Sequence, residues 1–235
     1  SLMFYSTEDG RFVKSEKFNK PTPAEIAYWG GYFFYHNRLH RNYQDDISLH
    51  YYLLASKDGI TIGKRYFKHE NNKEDYPFSP SGHNLYDNNS KLYYCRDFDN
   101  IVYQIHEDSV VPRFRINLPN PLPASMIEER PNEMSLLRSG YSLGITDIYE
   151  YGGLLFFRFV KDGYIWSCLY NVEESKQVYC AKRIKFLDSS LIDTIDGIYK
   201  DCFYSILTPE YLDYAFSENP LEDYPDLFKT YDVEG

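Results

Sequence analysis

Alanine is nearly absent: six occur in 235 residues, at positions 24, 27, 55, 124, 181 and 215. A chain of packed helices is hard to write without its best helix former. Basic charge is short as well. The 25 Lys and Arg stand against 35 Asp and Glu, a net charge of −10, which excludes a general phosphate-binding surface and with it a nucleic-acid partner. No apolar run approaches the length of a membrane-spanning helix, so no transmembrane segment is expected. The four cysteines, Cys95, Cys168, Cys180 and Cys202, form no CxxC and follow no metal-ligand spacing. Phosphate-cradling glycine loops are missing, and no cofactor or metal is expected. The opening Ser1-Leu2-Met3-Phe4-Tyr5 has no basic start, apolar stretch or cleavage site. The protein is therefore either cytosolic or parted from a targeting segment.

What the chain has in excess is aromatic side chains, 25 Tyr, 16 Phe and 2 Trp. Tyr and Phe favour pleated, half-buried surfaces, so composition points to β structure. The strand signals recur at a fixed interval. Asp9-Gly10, Asp58-Gly59 and Asp108-Ser109 lie about 50 residues apart, each between strand-like runs. A fourth turn near Glu173 follows an insertion. Such a period in an all-β chain marks a β-propeller whose repeats are four-stranded antiparallel blades. One blade is predicted as His83–Tyr86, Leu92–Arg96, Ile101–Ile105 and Arg113–Leu118. In its last strand Phe114, Ile116 and Leu118 alternate with Arg113, Arg115 and Asn117. A second is predicted as Ile145–Tyr149, Leu154–Val160, Tyr164–Tyr170 and Gln177–Ile184. Leu49–Ala55 and Ile60–Phe67 read as a hairpin turning at Ser56–Gly59. The apolar runs Tyr32–Tyr35 and Leu154–Phe157 suit inner strands buried on both faces.

Helix signals are few and fall between blades. Asn132 can cap a short helix carrying Met134, Leu136 and Leu137 and stopping at Gly140; Thr208-Pro209-Glu210 opens another, and a third starts near Pro225. Cys168 and Cys180 are equidistant from the centre of the turn at 171–176, a spacing that allows them to face each other across a hairpin. Two buried thiols are the expected reading, a disulfide the alternative.

The text Arg96-Asp97-Phe98-Asp99-Asn100-Ile101-Val102-Tyr103-Gln104-Ile105, followed by Val111-Pro112-Arg113-Phe114-Arg115-Ile116-Asn117-Leu118, resembles a six-bladed β-propeller family of Bacteroidetes. Cys202–Leu207 with Thr208-Pro209-Glu210-Tyr211-Leu212 is similar to that family's last blade and its helical insert. The resemblance implies the fold and an exported, periplasmic or cell-surface protein, lipid-anchored through a segment outside this sequence. It carries over no catalytic residues. At about 50 residues per blade, residues 1–235 are expected to form one propeller domain, incomplete at both ends, with a genuine five-bladed ring as the alternative. Ser1–Tyr5 and Arg11–Lys14 read as outer strands of a blade, and Cys202–Leu207 as a strand whose later partners lie beyond Gly235.

Few motifs could carry chemistry. Gly140-Tyr141-Ser142-Leu143-Gly144 matches GxSxG, but a helix signal precedes it, a strand follows, and no histidine lies beyond His106. It reads as a helix stop leading into an inner strand. His69-Glu70 and His106-Glu107 lack the second histidine of HExxH. His36 and His40, at i,i+4, read as part of a solvated polar loop. The acid pairs Asp45-Asp46, Glu128-Glu129 and Glu173-Glu174 read as solvated turns, since glycoside hydrolysis needs carboxyls that converge about 5–10 Å apart.

The aromatic wealth remains. Most Tyr are expected to pack blades with their hydroxyls at the rim. Trp29, His83, Tyr86, Arg96 and Arg158, at the start or middle of inner strands, are the candidate ligand-binding residues, for a carbohydrate, peptide or protein partner. The expected function is a non-enzymatic binding or scaffold propeller, exported, recognising its ligand at one face of the ring. The alternative is a carbohydrate-active hydrolase or lyase using carboxylates in the central channel.

Overall fold

The computed structural model describes residues 2–17, 23–37, 50–68, 82–88, 90–129, 131–182, 184–186, 189–192, 195–206 and 208. Twelve of its strands form three antiparallel four-stranded sheets, each ordered as the chain runs. The first is β3 (Glu25–Trp29), β4 (Tyr32–His36), β5 (Tyr51–Ser56) and β6 (Lys64–Lys68). The second is β7 (Leu85–Asp87), β8 (Leu92–Cys95), β9 (Ile101–Ile105) and β10 (Val110–Arg115), and the third is β11 (Ser142–Tyr151), β12 (Leu154–Lys161), β13 (Tyr164–Asn171) and β14 (Lys176–Ala181). Two-stranded sheets pair β1 (Leu2–Tyr5) with β2 (Phe12–Glu16), β15 (Ile184–Phe186) with β16 (Ser189–Ile192), and β17 (Gly197–Tyr199) with β18 (Cys202–Tyr204). The lead strands β3, β7, β11 and β17 lie side by side in chain order, as the inner strands of successive blades do.

Turn chemistry explains the tight inner hairpins. β3 and β4 are joined by Gly30 and Gly31 at φ +55° and +79°, and β11 and β12 by Gly152 and Gly153 at φ +57° and +77°. Two successive positive-φ residues make the primed turn whose twist matches the strands it joins. Apolar residues then meet between the sheets. Tyr32, Phe34, Leu53 and Ala55 of the first blade pack on Leu92, Tyr94, Tyr103 and Ile105 of the second. Tyr86, Tyr93 and Val102 of the second pack on Ile145, Leu155, Phe157 and Phe159 of the third. Each such side chain, taken fully from water, contributes on the order of 1.5–3 kcal/mol.

Several expectations need correction in detail. The outer strand of the second blade begins at Val110, directly after the turn at 107–109, and its ladder ends at Arg115. Pro112 has no N–H to give, and the register slips between Pro112 and Phe114. The alternation survives past the ladder: Phe114 and Ile116 are half-buried and Leu118 buried, while Arg113, Arg115 and Asn117 are exposed. The expected hairpin turn at Ser56–Gly59 is a longer connection, residues 57–63. The Asp58 carboxylate holds it by accepting the N–H of Ile60 and Thr61 and the Ser56 hydroxyl, and the Gly63 N–H closes it on the Ala55 carbonyl. Asn132 does cap a helix, α2 (Glu133–Leu137), through the Ser135 N–H at 2.9 Å; a further short helix, α1 (Ala124–Glu128), precedes it and has no side-chain cap. Leu136 packs under the third blade with Leu143 and Val160.

His36 is not in a solvated loop. It ends β4, is 1% exposed, and its Nδ1 lies 3.1 Å from the Tyr94 hydroxyl of the next blade. The Cys168–Cys180 expectation is also corrected. The two residues are direct cross-strand partners, Cα–Cα 4.1 Å, and form a disulfide rather than two thiols. Cys95 is buried and free, Cys202 exposed and free. The helices expected from Pro209 and Pro225, and His40, His69 and the acid pair Asp45-Asp46, lie outside the described residues.

Candidate functional site

Strand β7 organises the site. Its side chains alternate: Asn84, Tyr86 and Asn88 are buried between blades, while His83, Leu85 and Asp87 face the other way. On one side of that ridge a cavity of about 470 Å³ opens against β3, lined by Glu25, Ile26, Ala27, Tyr28 and Leu92. On the other, a cavity of about 360 Å³ opens against β11 and β17, lined by Tyr86, Tyr149, Asp196, Gly197, Ile198 and Tyr204. Both share His83, Leu85 and Asp87.

The buried side of β7 fixes this wall. Asn88 donates to the carbonyls of Tyr86 and Ile148 at 3.2 and 3.1 Å and accepts the Glu150 N–H at 2.6 Å, which ties β7 to β11. The Tyr86 hydroxyl donates to the His83 carbonyl and lies 3.2 Å from Thr146 Oγ1. On the β3 side the polar joint is made by Glu25, beside the packing of Ala27, Trp29 and Leu85. The Glu25 carboxylate accepts the N–H groups of Asn84 and Leu85, each at 2.8 Å, and sits 3.5 Å from His83 Nδ1. Its side chain is 16% exposed, whereas that of His83 is 70% exposed. Burial pushes the Glu25 carboxyl above the usual carboxylate range, against the pull of the two amides and of His83; Asp97 adds to the rise.

Of the five candidate residues, His83 borders both cavities and Tyr86 the one against β11 and β17. Trp29 ends β3, four residues along the strand from Glu25, and packs with Tyr32 and its neighbours. Arg96 is spent on Asp99, with Nη2 to Oδ2 at 2.6 Å, and lies over the Phe67 and Tyr103 rings. Arg158 is spent on Asp147, with Nη2 to Oδ2 at 2.6 Å. That aspartate sits in a β-bulge at φ +52° and also receives the Thr146 hydroxyl at 3.0 Å. Glu25, Asp87, Tyr149, Asp196 and Tyr204 were not singled out beforehand. Period-2 alternation from His83 was the available signal for Asp87; the rest depend on which blades meet.

The GxSxG match is structural. The Ser142 hydroxyl donates to the Pro119 carbonyl, and among the described residues no histidine is hydrogen-bonded to it. Gly144 is needed for close approach: its φ is +105°, and a Cβ there would stand 2.8 Å from the Phe98 Cα. No group of three or more His, Cys, Asp or Glu suited to a metal occurs among the described residues, and no described helix is long and apolar enough to cross a membrane.

Three stacked four-stranded antiparallel sheets, with their lead strands side by side around a lined recess, define a β-propeller. The chain belongs to the 6-bladed beta-propeller family DUF5128, whose sequence profile matches residues 1–190. No curated protein matches it. It is similar to a solved structure from Bacteroides fragilis, named a "Putative exported protein", with a TM-score of 0.60 and 16% identity. The match covers 76% of this chain and 51% of that one, so this chain spans about half its length. At that identity the likeness shows the fold alone.

Proposed function

We propose that this is a non-enzymatic binding or scaffold propeller that recognises a ligand at one face of its ring, in the recess divided by β7. The observation that carries this reading is the pair of cavities sharing His83, Leu85 and Asp87. Sites of this kind are concave, largely apolar and furnished with a few convergent polar groups. The one nucleophile motif of the chain argues for binding over catalysis, because the Ser142 hydroxyl is committed to a backbone carbonyl. We place the protein in the periplasm or at the cell surface, held there by a lipid anchor. The disulfide supports an oxidising compartment, and the named export of the Bacteroides fragilis protein agrees.

A second reading is a carbohydrate-active hydrolase or lyase using channel carboxylates. It is favoured by Glu25, whose carboxyl is raised by burial beside His83 at the cavity wall. Against it, that carboxylate already accepts two backbone amides. A thermal-shift screen of small ligands on the wild type, His83→Ala and Asp87→Ala tests the binding reading. Ligands that raise Tm only when His83 and Asp87 are present support it. Stabilisation indifferent to both substitutions overturns it, and turnover lost in Glu25→Gln would favour the hydrolase.

A further inference from the structure

Resting on that binding reading, we infer that the recess takes an uncharged, hydroxyl-rich ligand of two ring units, a neutral disaccharide in chemical class, with one ring on each side of β7. The shared wall is the first ground. Because His83, Leu85 and Asp87 border both cavities, the two are halves of one trough that crosses β7. Each half has a surface on which a ring can lie. Tyr28, 65% exposed, borders the β3 half with Ile26 from the face of β3 opposite Glu25, and Tyr149 and Tyr204 border the β17 half. The face of a tyrosine ring is apolar and slightly negative, and it suits the C–H face of a saturated ring.

The polar groups set the charge of the ligand. Glu25, Asp87 and Asp196 line the trough, and among the described residues no Lys or Arg does. An anionic ligand would meet carboxyl groups on both sides of β7. Arg96 and Arg158 offer no relief, since each is bound to its own aspartate. A cation is the weaker fit, because two of the carboxylates are partly satisfied. Glu25 accepts the amides of Asn84 and Leu85, and Asp196 Oδ2 accepts the Ile206 N–H at 2.6 Å. A carboxylate engaged in this way has lone pairs left for hydroxyl donors but less unmet charge. The His83 imidazole and the Tyr204 hydroxyl can each donate or accept, which matches groups that do both. Hydroxyl-bearing rings meet all of these terms at once.

Isothermal titration of the full chain with maltose, lactose, cellobiose, glucose, glucosamine and glucuronate tests the inference. At least one neutral disaccharide should bind, tenfold or more tighter than glucose, and glucuronate should not bind. His83→Ala and Tyr204→Ala should each weaken the disaccharide by about tenfold. Tyr164→Ala, on the exposed start of β13, should leave it unchanged and serves as the folding control. Glucose binding as tightly as the disaccharides overturns the two-ring assignment. Glucosamine or glucuronate binding more tightly than every neutral sugar overturns the charge assignment. Silence of the whole panel overturns the inference outright, while stabilising ligands of another class that depend on His83 would leave the binding reading standing.

Discussion

Replacing Glu150 by Gln removes the charge at a carboxylate that ties the second blade to the third. Its side chain is 9% exposed. Oε2 receives Lys91 Nζ at 2.8 Å and the Tyr93 hydroxyl, and Oε1 receives Arg113 Nη2 at 3.1 Å. Lys91 and Arg113 are about a third or more exposed, so each ion pair contributes only about 0–1 kcal/mol. The Tyr93 hydroxyl is different. Tyr93 is fully buried, and a hydrogen bond to a charged acceptor there is worth about 1.5–3 kcal/mol. The amide retains an acceptor but brings an NH2 towards two cations, so the expected loss is about 2–4 kcal/mol. That corresponds to a fall in Tm of roughly 5–15 °C for a chain of this size. Urea unfolding of wild type, Glu150→Gln, Tyr93→Phe and the double variant separates the contributions. Most of the loss should reappear in Tyr93→Phe and should not add in the double variant.

The pH dependence gives the sign. Burial opposes ionisation of Glu150, but Lys91, Tyr93 and Arg113 outweigh it and hold the carboxyl below its ordinary 4.5. The folded state therefore releases this proton more readily than the unfolded chain. Its contribution is complete above about pH 4.5 and is lost as pH falls through the lowered pKa. The stability gap between wild type and Glu150→Gln should be level near neutrality and close on acidification. A gap below about 1 kcal/mol at pH 7, or one that widens in acid, would refute the reasoning.

Glu25 should behave in the opposite sense. Its folded pKa is raised from 4.5, so wild type should lose stability relative to Glu25→Gln as pH rises from about 4.5 through the raised value, measured by chemical unfolding across that range. Gly144→Ala combines a left-handed φ with a 2.8 Å collision against the Phe98 backbone and should cost on the order of 2–4 kcal/mol in the same assay. Denatured, unreduced protein should show two titratable thiols, Cys95 and Cys202, and four after reduction. Opening the disulfide, whose cysteines are 12 residues apart, should lower stability by about 2–3 kcal/mol.

Where the sequence announced structure, it did so through local chemistry. Gly152-Gly153 and Asp162-Gly163 demand positive φ, so the hairpins of the third blade could be placed from the text. Alternation in Phe114–Leu118 marked the packed face even where the ladder itself stops at Arg115. Bulges were not legible, because the register slip at Pro112 and the turn of Asp147 into positive φ depend on what the neighbouring strand does. His36 misled for a similar reason: the polar residues after it signal a loop, and the Tyr94 hydroxyl that its imidazole meets comes from the next blade. The site was legible in part. His83 begins an inner strand and could be singled out by position, but Glu25 and Asp196 reach it from blades far along the chain. Arg96 and Arg158 had the right chemistry for a ligand, and the sequence gives no sign that Asp99 and Asp147 consume it.

The recess at β7 is tested most directly by the imidazole C–H signals of His83 in a proton NMR titration with the sugars and small ligands above, His106 serving as an exposed reference in the turn after β9. The account predicts that a binding ligand shifts the His83 signals in a saturable way and leaves those of His106 in place. Ligand binding detected by calorimetry with the His83 signals unmoved would contradict it.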